Sequence, residues 1–446
     1  MAALTADELA ADAAARSIDD RRRSAIKGAF WSEFIDMFDI YLPVVVLAPV
    51  LPYFQPPHTS SGTAVLLASL VFVTTLLGRP VGALLFGLVA DKLGRRRASI
   101  YSVSGFGAVT LLIALLPDYQ HAGLASYGML VLLRFVDGIF LGGGYTGAIP
   151  LAMEYSQKSR RGFIGGLIPA AFCAAYVSIS LIAMLMFALF PFHGAHSPYA
   201  QWGWRIPFVI GAVLAAVLAL YYVHKVAESE IWQSETAARR ARMPLADLLG
   251  RGSRRGLLQV LLMMTGFWLT QNMITIFLPT GLLRQILHLD GLQVTSTLLI
   301  AYSLMFFSYT GSGVIGQWIG RRRFFVIAGI LIATVGAALL YVLAGVNGLS
   351  MPMIIVLVCA LAVLVTSPWG AILTYLNERF VTDVRATGFG VGLSLSLVIP
   401  SFYAFYMSWL GHFMPPRLTS LVLLCVGAVI GVIGALMGPE TRDVDF

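Results

Sequence analysis

The sequence predicts an all-α membrane protein, with twelve transmembrane helices in two pseudo-symmetric six-helix bundles. Three observations carry this prediction. First, 58% of the 446 residues are hydrophobic and only 12% are charged, with a mean hydropathy of +0.82. A soluble domain carries roughly 25% charged residues, so the solvent for this chain is lipid. Second, the apolar runs are long and unbroken, whereas the strands of a membrane barrel alternate over roughly ten residues. Third, the chain repeats itself. The stretch GRPVGALLFGLVADKLGRRR (Gly78 to Arg97) returns in part as GVIGQWIGRRR (Gly313 to Arg323). Gly313 follows Gly87 by 226 residues, and Glu378 with Arg385 follows Glu154 with Arg161 by 224. Two markers at nearly one offset argue for a duplicated membrane unit.

Hydropathy places the spans at 27–50, 63–89, 98–116, 126–150, 162–190 and 204–226, then at 256–282, 293–318, 324–345, 351–376, 387–410 and 418–437. Each has about 20 residues or more, enough to cross a hydrocarbon core of roughly 30 Å. Residues 1–26 read as a disordered cytoplasmic tail, and they lack the apolar core of a signal peptide. The first bundle is 27–226 and the second 256–437. The connector at 227–255 is the one long hydrophilic interruption, with Glu228, Glu230, Glu235, Arg239, Arg240, Arg242, Asp247 and Arg251. Residues 438–446 form a short second tail. Glycine clusters such as Gly142–Gly143–Gly144 and Gly388-x-Gly390-x-Gly392 suit close helix approach in lipid.

The net charge of +8 is distributed as topology requires. Most Lys and Arg fall in segments alternating to one side, while Arg284 and Arg417 lie in loops of the other and Arg205 at that interface. This positive-inside asymmetry puts both termini in the cytoplasm and leaves no call for a nucleic-acid partner. The expected surroundings are the lipid bilayer, and the expected partners are a small-molecule substrate and protons, taken up by a monomer. The cysteines Cys173, Cys359 and Cys425 sit in apolar runs without disulfide or metal spacing. No Ser/His/Asp set, metal cluster or phosphate loop points to an enzyme, and no cofactor is expected.

Ionisable residues inside apolar spans need a reason, because each costs on the order of 3 kcal/mol at the bilayer centre. The first span holds Asp36 and Asp39, at i, i+3 on one helix face. The fourth runs the other way and holds Arg134 and Asp137, again at i, i+3. At a rise of ~1.5 Å per residue, Asp36 and Asp39 lie about 13 and 18 Å from one end of their span, and Arg134 and Asp137 about 12 and 17 Å from the opposite end of theirs. All four therefore sit near the midplane. Three acids against one base leave two surplus negative charges, and a low-dielectric site favours the neutral carboxyl. Asp36, Asp39 and Asp137 are accordingly the candidates for reversible protonation, and Arg134 for contact with an anionic solute. No histidine falls near the middle of a span. The second half has only neutral polar candidates in its spans, among them Gln271, Asn272, Tyr302, Trp369 and Tyr375, and Trp369 follows Pro368, where a helix irregularity is expected. With Tyr145, the residues Gln271, Asn272, Trp369 and Tyr375 are expected to line the substrate site beside Arg134.

The Gly87-x3-Asp91-Lys92-x-Gly94-Arg95-Arg96 loop resembles the signature between helices 2 and 3 of the major facilitator superfamily, and Pro439-Glu440-Thr441-Arg442 resembles its motif after the last helix. Within that superfamily the chain looks most like the metabolite:H⁺ symporters, through Arg79-Pro80-x-Gly82, Glu154-Tyr155-x5-Arg161-Gly162-Phe163 and Trp202-Gly203-Trp204-Arg205-Ile206-Pro207-Phe208. Asp36-Met37-Phe38-Asp39 stands where those symporters have Glu-Trp-Phe/Tyr-Asp, and is also similar to the Asp-Gly-x-Asp of aromatic acid:H⁺ symporters. Arg134-x-x-Asp137-Gly138 stands in place of Arg-x-x-Gln-Gly, and Gly144 in place of the acid of Gly-Gly-Glu. The resemblance implies alternating access in a bacterial inner membrane, a cavity lined by spans 1, 4, 7 and 10, and a cytoplasmic latch of Asp91, Arg95, Glu154 and Arg161. Gln317 in place of the second copy's acid implies a weaker latch in that half, with Glu378 and Arg385 as compensation. The expected function is proton-coupled symport of a small organic anion such as a carboxylate. The alternatives are a zwitterion or osmolyte:H⁺ symporter, or a drug:H⁺ antiporter. Gly162, Gly165, Gly166 and Pro169 give only a partial match to the exporters' fifth-span signature.

Overall fold

A computed structural model describes residues 6–56, 59, 61–191, 197–228, 230, 233, 250–346, 348–381 and 384–445. The first half comprises α1 (Ala6–Leu42), α2 (Ser61–Leu93), α3 (Arg95–Ala114), α4 (Leu124–Glu154), α5 (Arg161–Leu189) and α6 (Arg205–Lys225). The second half comprises α7 (Arg254–Ile286), α8 (Gly291–Ile319), α9 (Arg321–Gly345), α10 (Met351–Arg379), α11 (Arg385–Leu410) and α12 (Thr419–Met437). Among the described residues there is no strand, and eleven helices are long and apolar enough to cross a membrane. The twelfth crossing is α1, whose apolar run carries Glu33, Asp36 and Asp39 and is wound differently from Pro43 onward. It changes to a π-type turn over Pro43–Leu47 and a 3-10 turn over Ala48–Phe54, as expected where prolines remove ladder donors.

One expectation is corrected. Residues 6–26 continue α1 instead of forming a disordered tail. The connector cannot be compared with its expectation over most of its length, because residues 229, 231–232 and 234–249, with Glu235, Arg239, Arg240, Arg242 and Asp247, lie outside the described residues.

Within the first half α4 packs on α2 and α3, α3 on α6, and α1 on α5; within the second α12 packs on α7 and α9, and α8 on α10. The halves meet where α5 packs on α8 and α10, and α2 on α11. Glycines make these crossings possible. A Cβ on Gly82 of α2 would lie 1.8 Å from the Ile139 carbonyl oxygen of α4, and one on Gly162 of α5 would lie 2.5 Å from the Gly313 carbonyl oxygen of α8.

The duplication extends to how helices begin. Gly94 (φ 106°) precedes α3 and Gly320 (φ 99°) precedes α9. Both conformations are ones that only glycine adopts easily. The Glu228 carboxylate, just beyond α6, accepts from the Arg95 and Arg96 amides at 2.9 and 3.1 Å. Glu440, just beyond α12, accepts from the Arg321 and Arg322 amides at 2.7 and 3.1 Å. In each half a carboxylate following the sixth helix thus satisfies the free donors of the third and meets the positive end of its dipole.

Candidate functional site

The charged residues of α1 and α4 meet in the interior of the first half. One Arg134 nitrogen, Nη1, donates to Asp137 at 2.8 Å and to Asp39 at 3.1 Å. The second oxygen of Asp39 accepts from the Thr110 hydroxyl of α3 at 2.6 Å. Asp36, one turn along, accepts from Arg79 of α2 at 3.1 Å. Arg134 and Asp137 are wholly buried, and Asp36, Asp39 and Arg79 nearly so. This cluster is held by four helices, and its hydrogen bonding is incomplete. Arg134 Nε and Nη2, Arg79 Nε, Asp36 Oδ1 and Asp137 Oδ1 are buried without a partner. Unmet donors and acceptors of that kind are expensive in an apolar interior, and they are the groups a carboxylate, a cation or a proton could engage.

Arg79 and Glu33 belong to this site, and sequence reasoning gave neither a role. Arg79 is the counter-charge of Asp36 and lies over the Tyr145 ring, 4.8 Å from its centre. Glu33 is buried one turn before Asp36. Both carried the signal used for the other four, an ionisable side chain well inside an apolar run. With them the cluster holds four acids and two bases, so the surplus of two negative charges is unchanged.

Tyr145 links this region to the second half through a short hydrogen bond to the Ser394 hydroxyl of α11. Around it the neutral candidates divide. Gln271 donates to the Tyr309 hydroxyl at 3.3 Å and keeps a buried, unpartnered Oε1. Trp369 follows a break in α10 between Thr366 and Trp369. Its ring packs edge-on against Trp268 with centres 4.3 Å apart, and its Nε1 has no partner. An aromatic layer that reaches Tyr309, the partner of Gln271, joins the halves. Tyr41 of α1 contacts Phe172 and Tyr176 of α5, and Tyr176 stacks on Tyr302 of α8 at 3.9 Å. Asn272, in contrast, donates to the Pro400 carbonyl and ties α7 to α11. Tyr375 lies elsewhere, near the end of α10 that carries the basic loops, where its hydroxyl donates to Gln259 at 3.3 Å. The structure does not bring it to the charged cluster.

The helix ends that carry the basic loops are closed by contacts between the halves. Glu154 pairs with Arg95 of its own half and accepts from Arg385 of the other at 2.8 Å. Asp91 accepts from the Thr387 hydroxyl of α11 at 2.5 Å. Arg161 donates to the Val444 carbonyl at 2.7 Å, and its own carbonyl accepts from Thr374 at 3.2 Å. Lys158 pairs with Asp445 at 2.9 Å, and that hydrogen bond and charge hold the Asp445 carboxyl below its usual range. In the second half Arg321 pairs with Glu378 at 3.3 Å and donates to Gln317 at 2.5 Å, so the amide that replaces the acid still takes part. Exposed pairs of this kind contribute about 0–1 kcal/mol. The Arg95, Glu154, Arg321, Glu378 and Arg385 side chains are instead almost fully buried, where loss of one partner costs about 3–5 kcal/mol. At the opposite end of the helices two cavities remain between the halves. One of about 380 Å³ is lined by Leu47, Phe72, Phe277 and Tyr403, and the other of about 620 Å³ by Val44, Tyr176, Arg284 and Leu298.

Comparison with known proteins agrees with this architecture. Residues 29–404 match the model of the Major Facilitator Superfamily. The chain is 30% identical to the alpha-ketoglutarate permease of Escherichia coli K12, over 87% of each protein. It is 25% identical to the proline/betaine transporter of Salmonella typhimurium LT2, over 95% of this chain and 85% of that one. A solved structure of the proton:xylose symporter XylE superposes with a TM-score of 0.77 at 15% identity, covering 95% of this chain and 97% of that chain, which is a likeness of fold. With twelve crossings, duplicated glycine–arginine loops and these matches over most of its length, the chain belongs to the Major Facilitator Superfamily and is a multi-pass membrane transport protein.

Proposed function

We propose that the protein is a proton-coupled symporter that carries a small zwitterionic, carboxylate-bearing solute of the osmolyte class into the cell across a bacterial inner membrane. The observation that carries the reading is the single nitrogen of Arg134 shared by Asp39 and Asp137. A solute carboxylate competes for Arg134, and the acid it displaces then gains more from a proton than from the arginine. Proton and solute therefore bind together. The surplus of two negative charges favours a solute with a cationic nitrogen over a simple anion, because that nitrogen can be balanced by an acid that stays ionised. The tyrosines of the adjoining aromatic layer offer π faces of the kind that attract quaternary ammonium groups. The basic loops face the cytoplasm, in line with the positive-inside rule, so the closed end is the inner one and the solute enters from outside. Alternating access follows if the latch around Glu154 opens when the external end shuts.

A second reading, symport of a simple organic anion, is favoured by the unpartnered Nε of Arg79 and Nη2 of Arg134, which are two cationic donors facing one cluster. Proteoliposomes decide between them. Radiolabelled betaine, proline and 2-oxoglutarate would be offered with and without an inward proton gradient. Gradient-driven accumulation of the zwitterions, abolished by a proton ionophore and by Arg134→Ala, is the expected result. Accumulation of 2-oxoglutarate alone selects the second reading, and uptake indifferent to the ionophore overturns both.

A further inference from the structure

We propose that Glu33 is the inner terminus of the proton path, the carboxyl that takes the proton from Asp36 and gives it to the cytoplasm. This rests on the reading of the protein as a proton-coupled symporter. Glu33, Asp36 and Asp39 occupy positions i, i+3 and i+6 of α1, so they form a ladder along one side of the helix with a rise of about 4.5 Å per step. Asp39 is the rung that shares Arg134 with Asp137, and Asp36 is the rung held by Arg79. Glu33 is the rung nearest the latched end. Each step towards that end therefore leads away from the candidate solute-binding arginine.

Three features distinguish Glu33 from a structural ion-pair member. Among the described residues it makes no hydrogen bond or ion pair, although it is only 8% exposed. The Oδ1 of Asp36 is buried without a partner, as is the hydroxyl of Ser32 beside Glu33. Facing Ser32 on α4 is Gly144, where the nearest neighbours of an added Cβ would be the hydroxyl oxygens of Ser102 at 3.5 Å and Ser32 at 3.9 Å, ordinary contacts with polar groups. A buried carboxyl with no hydrogen bond of its own, next to an acid with a free oxygen, is suited to receive a proton. The charged groups acting on it are Asp36 on its own helix and Arg79 from α2. Tyr145 of α4 lies beyond Arg79, and Tyr222 of α6 packs on Gly28 one turn nearer the inner end. On α5, Tyr176 packs against Tyr41 and Arg161 is bonded to Val444.

The step is a simple transfer. The Asp36 carboxyl loses a proton and becomes the carboxylate that Arg79 already holds, and Glu33 becomes the neutral acid. When the latch opens, water takes the proton from Glu33, and the ionised ladder is ready to accept another from outside.

The test separates net proton movement from solute exchange in the full-length protein in proteoliposomes, with radiolabelled betaine as the probe, or 2-oxoglutarate if that is the solute accumulated above. Glu33→Gln is expected to lose gradient-driven accumulation by at least about tenfold while counterflow of preloaded solute stays within about twofold. Glu33→Asp restores a carboxyl and is expected to recover accumulation. If Glu33→Gln does not fold, Glu33→Ala, which also removes the carboxyl, takes its place with the same expectation. Accumulation unchanged in Glu33→Gln, or counterflow lost in proportion to accumulation, overturns the role of Glu33 while leaving proton coupling intact. If the unmodified protein fails to respond to the gradient, the parent reading falls and this one falls with it.

Discussion

Glu154 and Arg385, one from each half of the molecule, are bonded at 2.8 Å with both side chains almost fully buried. Glu154 is at the same time the partner of Arg95, so one carboxylate holds two arginines across the interface between the halves. Replacing it by glutamine removes the carboxylate that these two buried cations share, at a cost of about 3–5 kcal/mol to the closed form. Once the halves part, those cations are solvated and the cost disappears. Glu154→Gln should therefore shift the population towards the form open at the basic end. In a background with the three native cysteines replaced, a cysteine at Thr146, which faces Gly390 of the other half, should be alkylated at least about tenfold faster in the variant. Equal rates would mean that Glu154 does not hold the closed form.

Arg134 is the counter-charge of two acids on two helices. Arg134→Ala leaves Asp39 and Asp137 facing each other in an apolar interior. Two carboxylates so placed repel each other there, and the exchange of Arg134 between acid and solute, on which the proposed coupling rests, is lost. Gradient-driven uptake should fall by about tenfold or more at neutral pH. Arg134→Lys keeps the charge but not the planar fork, and should leave a measurable fraction. Wild-type uptake in Arg134→Ala would show that the cluster only holds helices together.

The twelve crossings and the duplication were legible in the sequence because both are one-dimensional signals. Hydropathy needs only length, and Gly94 and Gly320 are marked by the arginines that follow them. Depth along α1 and α4 was enough to group Asp36, Asp39, Arg134 and Asp137. Arg79 was harder to place, because it comes from α2 and its pairing with Asp36 depends on how α2 lies beside α1, which the spacing along either helix does not contain. Tyr375 shows the same limit from the other side. It lies in an apolar span and looks interior, yet α10 carries it to Gln259 near the basic end. The burial of the latch was also invisible, since charged residues at helix ends read as solvent-facing until the tail at Thr441–Asp445 and the opposing half cover them.

Glu228 and Glu440 should be equivalent in kind, since each carboxylate accepts two amides at the start of a third helix. Removing a cap costs about 1 kcal/mol, and up to about 2 kcal/mol where a charge also meets the helix dipole. Glu228→Ala and Glu440→Ala should each lower the melting temperature by a few degrees, and the double variant should lose the sum, because the two sites cap different helices in different halves. Gly94→Ala and Gly320→Ala should cost more. The positive φ strains alanine, and the added Cβ would lie 2.2 Å from Glu228 and 2.4 Å from Glu440. Melting curves of the five proteins test this, and a strongly non-additive double variant would show that the two ends are coupled.

Gly82 and Gly162 separate folding from gating. The three atoms nearest a Cβ on Gly82 all belong to Ile139 of its own half, with its carbonyl oxygen at 1.8 Å, and the three nearest a Cβ on Gly162 all belong to α8 of the opposite half, with the Gly313 oxygen at 2.5 Å and Gln317 Cβ at 2.6 Å. Real contacts do not become that short, so in each case two helices must move apart. For Gly82→Ala the helices that move are α2 and α4, which together hold Arg79, Arg134 and Asp137. Yield of folded protein and melting temperature should both drop. For Gly162→Ala each half can keep its internal packing and only the contact between halves is lost. Yield should hold, while alkylation of a cysteine at Thr146 rises as it does in Glu154→Gln. A Gly162→Ala variant that folds poorly but stays closed would contradict the picture of two bundles moving against each other across the α5–α8 crossing.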